Sequence, residues 1–406
     1  MTADKPSLLV PQRRFPEFAQ GPGWDHAKVS DLVETITPPK KLTTSTYLAD
    51  GRFPIIDQSQ SYICGWTNDE EAIITRPLPV IVFGDHTCVL KFVNRPFAQG
   101  ADGIKILTAR RRVSTVYLYH QLTYRPVVME EYKRHFSALK DKVVCFPDPK
   151  SGEQQKIVDC LGSLDALIAA EGRKLKALRQ HRHGLMQQLF PQPGETVPRL
   201  RLPEFRDATE WETRNLEELV LIQSGGTPSK ADPAFWNGSI PWVSAKDMKR
   251  LFLEETEDHI SVAAVENGAR LVPAGTLLLL TRGMTLLKDV PICVIRREMS
   301  FNQDVKALRP KIDVNGLFLA FALLGNKQRL LKMVDIAGHG TGKLNTDELA
   351  TFELAFPEPA EQNRIAAILS SLDEMVTAQS RKVEGLEAQK QGLLQQLFPS
   401  LEEESR

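Results

Sequence analysis

"EQQKIVDCLGSLDALIAAEGRKLKALRQHRHGLMQQLFP" fills residues 153–191, and "EQNRIAAILSSLDEMVTAQSRKVEGLEAQKQGLLQQLFP" fills 361–399. The two stretches align without a gap, and eighteen of the 39 paired positions are identical. In a chain without low complexity that agreement marks a duplicated unit. The first copy carries Ile157, Leu161, Leu164, Ile168, Leu175, Leu178, Leu185 and Leu189. The second carries Ile365, Leu369, Leu372, Val376, Val383, Leu386, Leu393 and Leu397 in the same register. The steps follow the four-three heptad rhythm with a few positions skipped, which predicts a coiled-coil seam. The skipped positions are Glu171 and Arg182 in one copy, Gln379 and Lys390 in the other. Polar residues there cost stability and fix register and partner. Two unrelated amphipathic helices on separate cores are the alternative, but the shared register and the shared gaps call for a common reason.

Each copy has a marked start and stop. "FPDP" (146–149) and "FPEP" (356–359) precede them, and "FP" closes both; proline restricts the residue before it and cannot continue a helix. Roughly 37 residues at about 1.5 Å each give a rod of about 55 Å. A shorter echo opens each half. "RFPEF" (14–18) is followed by Trp24 and "VSDLV" (29–33); "RLPEF" (201–205) is followed by Trp211 and "LEELV" (216–220).

These echoes divide the chain into an opener (1–18), a globular region (19–146), a long helix (147–191), a second opener (192–205), a second globular region (206–356), a second helix (357–399) and a tail (400–406). Both globular regions read as mixed α/β. "PVIVFGDHTCVLKFV" (79–93) is a hairpin signal, "GTLLLLTRG" (275–283) and "VPICVIRR" (290–297) are strand signals, and 314–334 reads as one helix. The expected fold class is α+β: two globular α/β regions separated by two long antiparallel coiled-coil helices, with a pseudo-twofold internal repeat. A chain of 406 residues is long enough for several cores.

With 51 basic and 51 acidic residues the formal net charge is zero, so nucleic-acid binding must rest on local distribution. Five scattered cysteines show no metal-ligand spacing and read as reduced thiols. The opening "MTADKPSLLVPQRR" lacks the long apolar core of a signal peptide, and the most apolar stretch (271–280) is too short to span a bilayer. The expectation is a cytoplasmic protein without a membrane partner. "GHGTGKLN" (338–345) lacks the spacing and the Ser or Thr of a phosphate loop. "PDPKSGEQQK" (147–156) opens a helix instead of lining a nuclease strand, and His181 and His183 sit on a polar helix face. No glycine-rich cofactor fingerprint and no amino-methyltransferase motif is found.

What remains is chemistry suited to DNA. In the first region, "ARRRVSTVYLYHQLTYR" (109–125) offers Arg110, Arg111, Arg112, Tyr119, His120, Tyr124 and Arg125. In the second, "SGGTPSK" (224–230), "IPWVSAKDMKR" (240–250), "TRG", "NQD" and "GTGK" offer Thr227, Ser229, Lys230, Lys246, Arg282, Asn302, Gln303 and Lys343. Arginine and lysine suit phosphates and guanine edges, and amides suit adenine. Each of these residues, taken singly, is also an ordinary surface residue.

Here the sequence resembles a known family. The repeated "EQ…I…L.SLD…GLLQQLF" helix and "GGTPSK…FWNGSIPWVSAKDM" (225–248) are similar to the type I restriction–modification specificity subunits, over about residues 11–399. The first region departs from the pattern, with "TITPPKK" (35–41) where the second has "GGTP". The resemblance implies two target recognition domains and a noncatalytic chain; two unlike regions held apart by paired rods predict a bipartite asymmetric DNA target. The resemblance also implies two methylation subunits bound to the repeated helices and, where the system has them, restriction subunits. S-adenosylmethionine, ATP and Mg2+ then belong to those partners, with adenine-N6 methylation as their chemistry, and this chain binds no cofactor. A coiled-coil scaffold without DNA binding, or a nuclease or methyltransferase in its own right, are the alternatives.

Overall fold

The computed structural model describes residues 9–101, 103–129, 134–311, 313–336 and 340–399. The beginning of the opener (1–8), part of the glycine-rich 338–345 stretch and the tail (400–406) lie outside the described residues. The chain divides into two units, Met1–Gly172 with Arg381–Arg406, and Arg173–Ser380.

In the first unit, β1 (Asp25–Lys28) leads through the short helix α1 (Val29–Leu32) into β2 (Val33–Ile36). There follow β3 (Phe53–Ile56), β4 (Gly65–Thr67), β5 (Ile73–Ile74), β6 (Val80–Gly84), β7 (Leu90–Val93), β8 (Phe97–Gln99) and β9 (Ile104–Ala109). Then come α2 (Thr115–Tyr124), α3 (Phe136–Asp141), β10 (Val143–Phe146) and the long α4 (Glu153–Leu189). One sheet has the order β2-β9-β6-β7, a second the order β4-β3-β8-β5, and β1 pairs with β10. The hairpin expected at 79–93 is β6–β7, antiparallel with Val80 opposite Val93. All five residues of β6 are buried. Ile81 and Phe83 enter the core that holds Tyr117 and Leu161, while Val80 and Val82 enter one with Ile56 and Phe97. Alternate side chains of a strand point to opposite faces, so an unbroken apolar run serves two cores.

The second unit repeats this plan. It contains β11 (Glu212–Asn215), α5 (Leu216–Leu219), β12 (Val220–Ser224), β13 (Ile240–Val243), β14 (Phe252–Leu253), β15 (Asp258–Ile260), α6 (Val262–Glu266), β16 (Leu271–Val272) and β17 (Leu277–Leu280). It continues with β18 (Arg282–Gly283), β19 (Ile292–Ile295), β20 (Met299–Phe301), β21 (Val305–Pro310), α7 (Gly316–Gly325), α8 (Lys327–Lys332), β22 (Val334–Ile336), β23 (Gly342–Leu344), α9 (Thr346–Ala350), β24 (Glu353–Phe356) and α10 (Pro359–Leu397). Its sheets run β12-β21-β17-β19-β14 and β15-β13-β20-β16, with β11 paired to β24 and an additional β18-β23-β22. The strands expected from "GTLLLLTRG" and "VPICVIRR" are β17 with β18, and β19. The single helix expected over 314–334 is instead two, α7 and α8. They meet at Asn326, which leaves helical geometry and turns its side-chain amide back onto the Ala322 carbonyl at 2.9 Å. Gly325 before it is a weak helix former.

The repeated helices lie antiparallel inside each unit. In the first, Asp165 of α4 meets Lys390 of α10, and Glu171 meets Lys382 at 2.6 Å. In the second, Arg182 meets Asp373. Three of the four skipped seam positions therefore carry ion pairs between the helices, and the fourth, Gln379, is buried. The seam leucines, isoleucines and valines named above are all buried or half-buried. Burial is deepest toward the helix ends. Ile157, Leu161, Leu397 and Phe398 join the first unit's core, and Leu189, Phe190, Ile365 and Leu369 join the second's.

The opener echo also has a structural cause. Arg14 forks onto Glu153 at 2.7 and 2.6 Å, and Arg201 onto Glu361 at 3.1 and 2.8 Å. Each pair ties an opener to the first turn of a long helix, where a carboxylate also suits the helix dipole. The following glutamines, Gln154 and Gln362, each donate to the proline carbonyl before the helix, at 2.9 Å in both cases. Trp24 packs edge-on against Tyr117 and Trp211 against Phe318. Phe398 and Phe190, the last aromatics of the helix repeats, complete the two sets.

Candidate nucleic-acid interface

In the second unit several expected residues come together at one end of the large sheet. β12 ends at Ser224, β17 ends at Leu280, and β21 begins at Val305 after the turn 302–304. The Thr281 amide donates to the Asp304 carbonyl at 2.7 Å, and the Leu344 amide donates to the Thr281 carbonyl at 2.8 Å. The Gly226 amide donates to the Phe301 carbonyl at 2.9 Å. These bonds gather Thr227, Arg282, Asn302, Gln303 and Lys343 onto one edge. The Thr227 hydroxyl bonds the Gln303 side chain, and Arg282 stands directly opposite Lys343 in the β18–β23 register.

The glycine pair of "SGGTPSK" is set by packing. A Cβ on Gly225 would fall 2.3 Å from the carbonyl oxygens of Phe301 and Asn302, so only glycine fits. Two tryptophans from "FWNGSIPW" pin the rest of this loop. The Trp242 indole donates to the Gly226 carbonyl and the Trp236 indole to the Ser229 carbonyl, both at 3.0 Å. The rings meet edge to face with centroids 5.0 Å apart. The motif thus builds a rigid loop that presents Thr227, Ser229 and the exposed Lys230.

Two lysines differ in character. Lys306, missed in the sequence, is half-buried and donates to the Ser224 hydroxyl at 2.6 Å. Burial holds its pKa below the ordinary lysine value, with Asp304 opposing. Lys246 is already held by Asp258 at 2.9 Å and Glu257 at 3.1 Å, and these hydrogen bonds raise its pKa. A cation bound to two carboxylates must give them up to meet a phosphate.

The first unit's set lies elsewhere. Arg110, Arg111 and Arg112 follow the far end of β9, next to the start of α4, where Gln154 donates to the Arg112 carbonyl at 3.0 Å. Arg110 faces Glu34 at 3.6 Å, and Arg112 pairs with Asp25 and lies over the Phe146 ring. The equivalent place in the second unit is the end of β21, not the edge that carries Thr227 and Arg282. The two expected groups therefore occupy opposite ends of equivalent sheets. Tyr119 packs on Phe92 and Tyr124 on Phe398, with the Arg125 guanidinium over Tyr124. His120 is 4% exposed, which removes it from any surface that a base edge reaches. Burial drives its pKa down to about 4, with Asp165 opposing and Lys390 adding to the shift.

The first unit's counterpart of the second unit's edge is formed by 37–41, 85–87 and the turn before β9. The Asp85 amide donates to the Gly103 carbonyl at 2.7 Å, the same bond that Thr281 makes to Asp304. Lys40 and Lys41 stand there. Lys40 pairs with Asp69 at 2.6 Å, and that hydrogen bond raises its pKa. The signal was in the sequence: "TPPK" (37–40) sits after β2 as "TPSK" (227–230) sits after β12.

Among the described residues, no group of three or more His, Cys, Asp or Glu side chains stands together as metal ligands. No described helix is long and apolar enough to cross a membrane.

Comparison with known proteins adds independent findings. Residues 208–388 match the family described as the type I restriction modification DNA specificity domain. The chain is 29% identical to the type I restriction enzyme EcoR124I/EcoR124II specificity subunit of Escherichia coli over 339 residues, 80% of each chain. A solved structure of the type-I restriction-modification system S subunit from M. genitalium has the same fold. Its TM-score is 0.68 at 14% identity, over 97% of this chain and 100% of that one. A structure from work on complex assembly and conformational transition of the type I R-M system gives a TM-score of 0.52 at 16% identity, over 93% and 98%.

Proposed function

We infer that this chain, which belongs to the type I restriction–modification specificity subunits, is the part of such a system that reads DNA sequence. The observation that carries the reading is the doubled fold with unlike edges. Equivalent sheets end in 37–41 and 85–87 in one unit, and in 224–230, 281–283 and 302–304 in the other. Two scaffolds of one design with different polar residues at the same place suit two different half-sites. The target is therefore bipartite and asymmetric, with an unread gap between its halves. Phosphate contacts from lysine and arginine position the chain, and the amides and hydroxyls at the edges choose bases.

In this reading the chain is noncatalytic. Methylation subunits, two in number, supply adenine-N6 methylation with S-adenosylmethionine, and restriction subunits supply ATP- and Mg2+-dependent cleavage where they exist. The repeated helices offer each methylation subunit the same ground. Leu167 on α4 and Met375 on α10, at equivalent positions of the repeat, are both exposed apolar residues, at 42% and 51%. Paired equivalent patches suit two copies of one partner.

The test is methylome sequencing of the host with and without the gene, followed by exchange of 206–356 for that of a relative. The expected result is one bipartite adenine motif that disappears with the gene, and an exchange that rewrites one half only. An exchange that rewrites both halves refutes the assignment of one half-site to each unit, and a gene whose loss leaves every methylated motif unchanged refutes the DNA reading and returns the chain to the scaffold alternative.

A further inference from the structure

The second unit carries a small sheet, β18-β23-β22, beside its polar edge. Within it Ile336 stands opposite Gly342, and Gly342 stands opposite Gly283. Neither glycine offers a side chain, and Ile336 is left 72% exposed. Met284, the residue after Gly283, is 62% exposed. β18 and β22 both run antiparallel to β23, so Met284 and Ile336 leave the sheet at the same end. The bare strand between them is required by packing. A Cβ on Gly342 would lie 2.7 Å from the Leu286 Cβ and 3.0 Å from the Val334 Cγ1. Beneath, Leu286 and Leu344 are fully buried, so the sheet is anchored while its apolar end is uncovered.

On the other face, one position back, Arg282, Lys343 and Asp335 stand in register across the three strands. Like charges directly opposite each other are unfavourable, and the single carboxylate leaves one cation in excess. An apolar projection flanked by cations is complementary to a polyanion with an apolar interior, which is what a DNA duplex offers at a base step. We propose that Ile336 and Met284 form a wedge that presses into a base step of the half-site read by the second unit, while Arg282 and Lys343 hold the adjoining phosphates. The proposal rests on the DNA-reading function inferred above. A wedge favours steps that unstack easily, so it selects pyrimidine–purine steps without a hydrogen bond to either base.

The complete complex with its partner subunits is titrated against a duplex carrying the mapped target. 2-Aminopurine replaces, in turn, each adenine of that half-site except the methylated one, which a methyltransferase extrudes in any case. One position is expected to brighten on binding. Ile336→Ala and Met284→Ala should lose the brightening and about tenfold in affinity, with the salt slope unchanged because no charge is removed. Ile336→Leu should keep both signals. Sequence-specific binding by alanine variants as tight as the parent's, or no brightened position, overturns the wedge and leaves the DNA reading intact. Faster hydrogen exchange across β22 and β23 in the alanine variants also counts against it, since the loss would then be one of folding. A complex that binds no duplex overturns the DNA reading itself.

Discussion

Replacing Arg201 should loosen the second unit from its opener outward. Its guanidinium holds Glu361 by two hydrogen bonds and donates to the Ala208 and Thr209 carbonyls at 2.8 and 2.7 Å. The side chains of the pair are 9% and 1% exposed. Arg201→Met therefore leaves a carboxylate buried without its cation. Breaking such a pair costs about 3–5 kcal/mol. The dipole of α10 returns part of this, because Glu361 lies in its first turn, which puts the expectation near about 3 kcal/mol. Glu361→Leu alone strands the guanidinium and should cost a similar amount. The double variant strands neither group, and its loss should be no larger than either single one. Hydrogen exchange of the β11 and β24 amides reads this directly, since β11 follows the opener and pairs with the strand before α10. The single variants should speed exchange there by about a hundredfold. β1 and β10 of the first unit, held by Arg14 and Glu153, should not change and serve as the internal control. Single losses that simply add in the double variant, or a change below about tenfold, would refute the reasoning.

Three further outcomes are expected. Arg282→Ala with Lys343→Ala should reduce the slope of log affinity against log salt by about 2, whereas alanine at Arg110, Arg111 and Arg112 should leave it unchanged; equal slopes in salt titrations would contradict the placement of the interface. His120 is held at about 4 in the folded chain, against about 6.5 when unfolded. Its penalty is absent above pH 6.5 and grows as the pH falls toward 4, up to about 3 kcal/mol; urea titrations at pH 7 and 4.5 should show that His120→Gln removes much of this dependence. Gly342→Ala should disturb the small sheet by about 1–3 kcal/mol, seen as faster exchange in β22 and β23 while β17 and β19 stay protected.

The long helices were legible because their pattern is physical and long. The apolar rhythm names the seam, and the polar residues that interrupt it turn out to be the ion-paired positions Glu171, Arg182 and Lys390. The α/β character of both regions followed from strand-length apolar runs such as 277–280. The edge was harder to find, because loop residues that read bases have no period and look like any polar surface. "GGTPSK" carried a usable cue in its glycines. The cluster 109–125 lies at the other end of its sheet, where Arg110 and Arg112 face carboxylates from β2 and β1. Helical spacing did hold a warning there: Tyr117, His120, Gln121 and Tyr124 share one face of a helix, and that face is the one turned inward.

The first unit takes its closing piece from Arg381–Arg406, whereas the second is one unbroken segment. On the ribosome, the half that is made first must therefore wait for the last turns of α10, where Leu394, Leu397 and Phe398 fill its core. The half made later has everything it needs as soon as residue 380 emerges. Synthesis order and order of completion are thus reversed, and a message cut short near its end would release a chain whose beginning, not its end, is left unfinished.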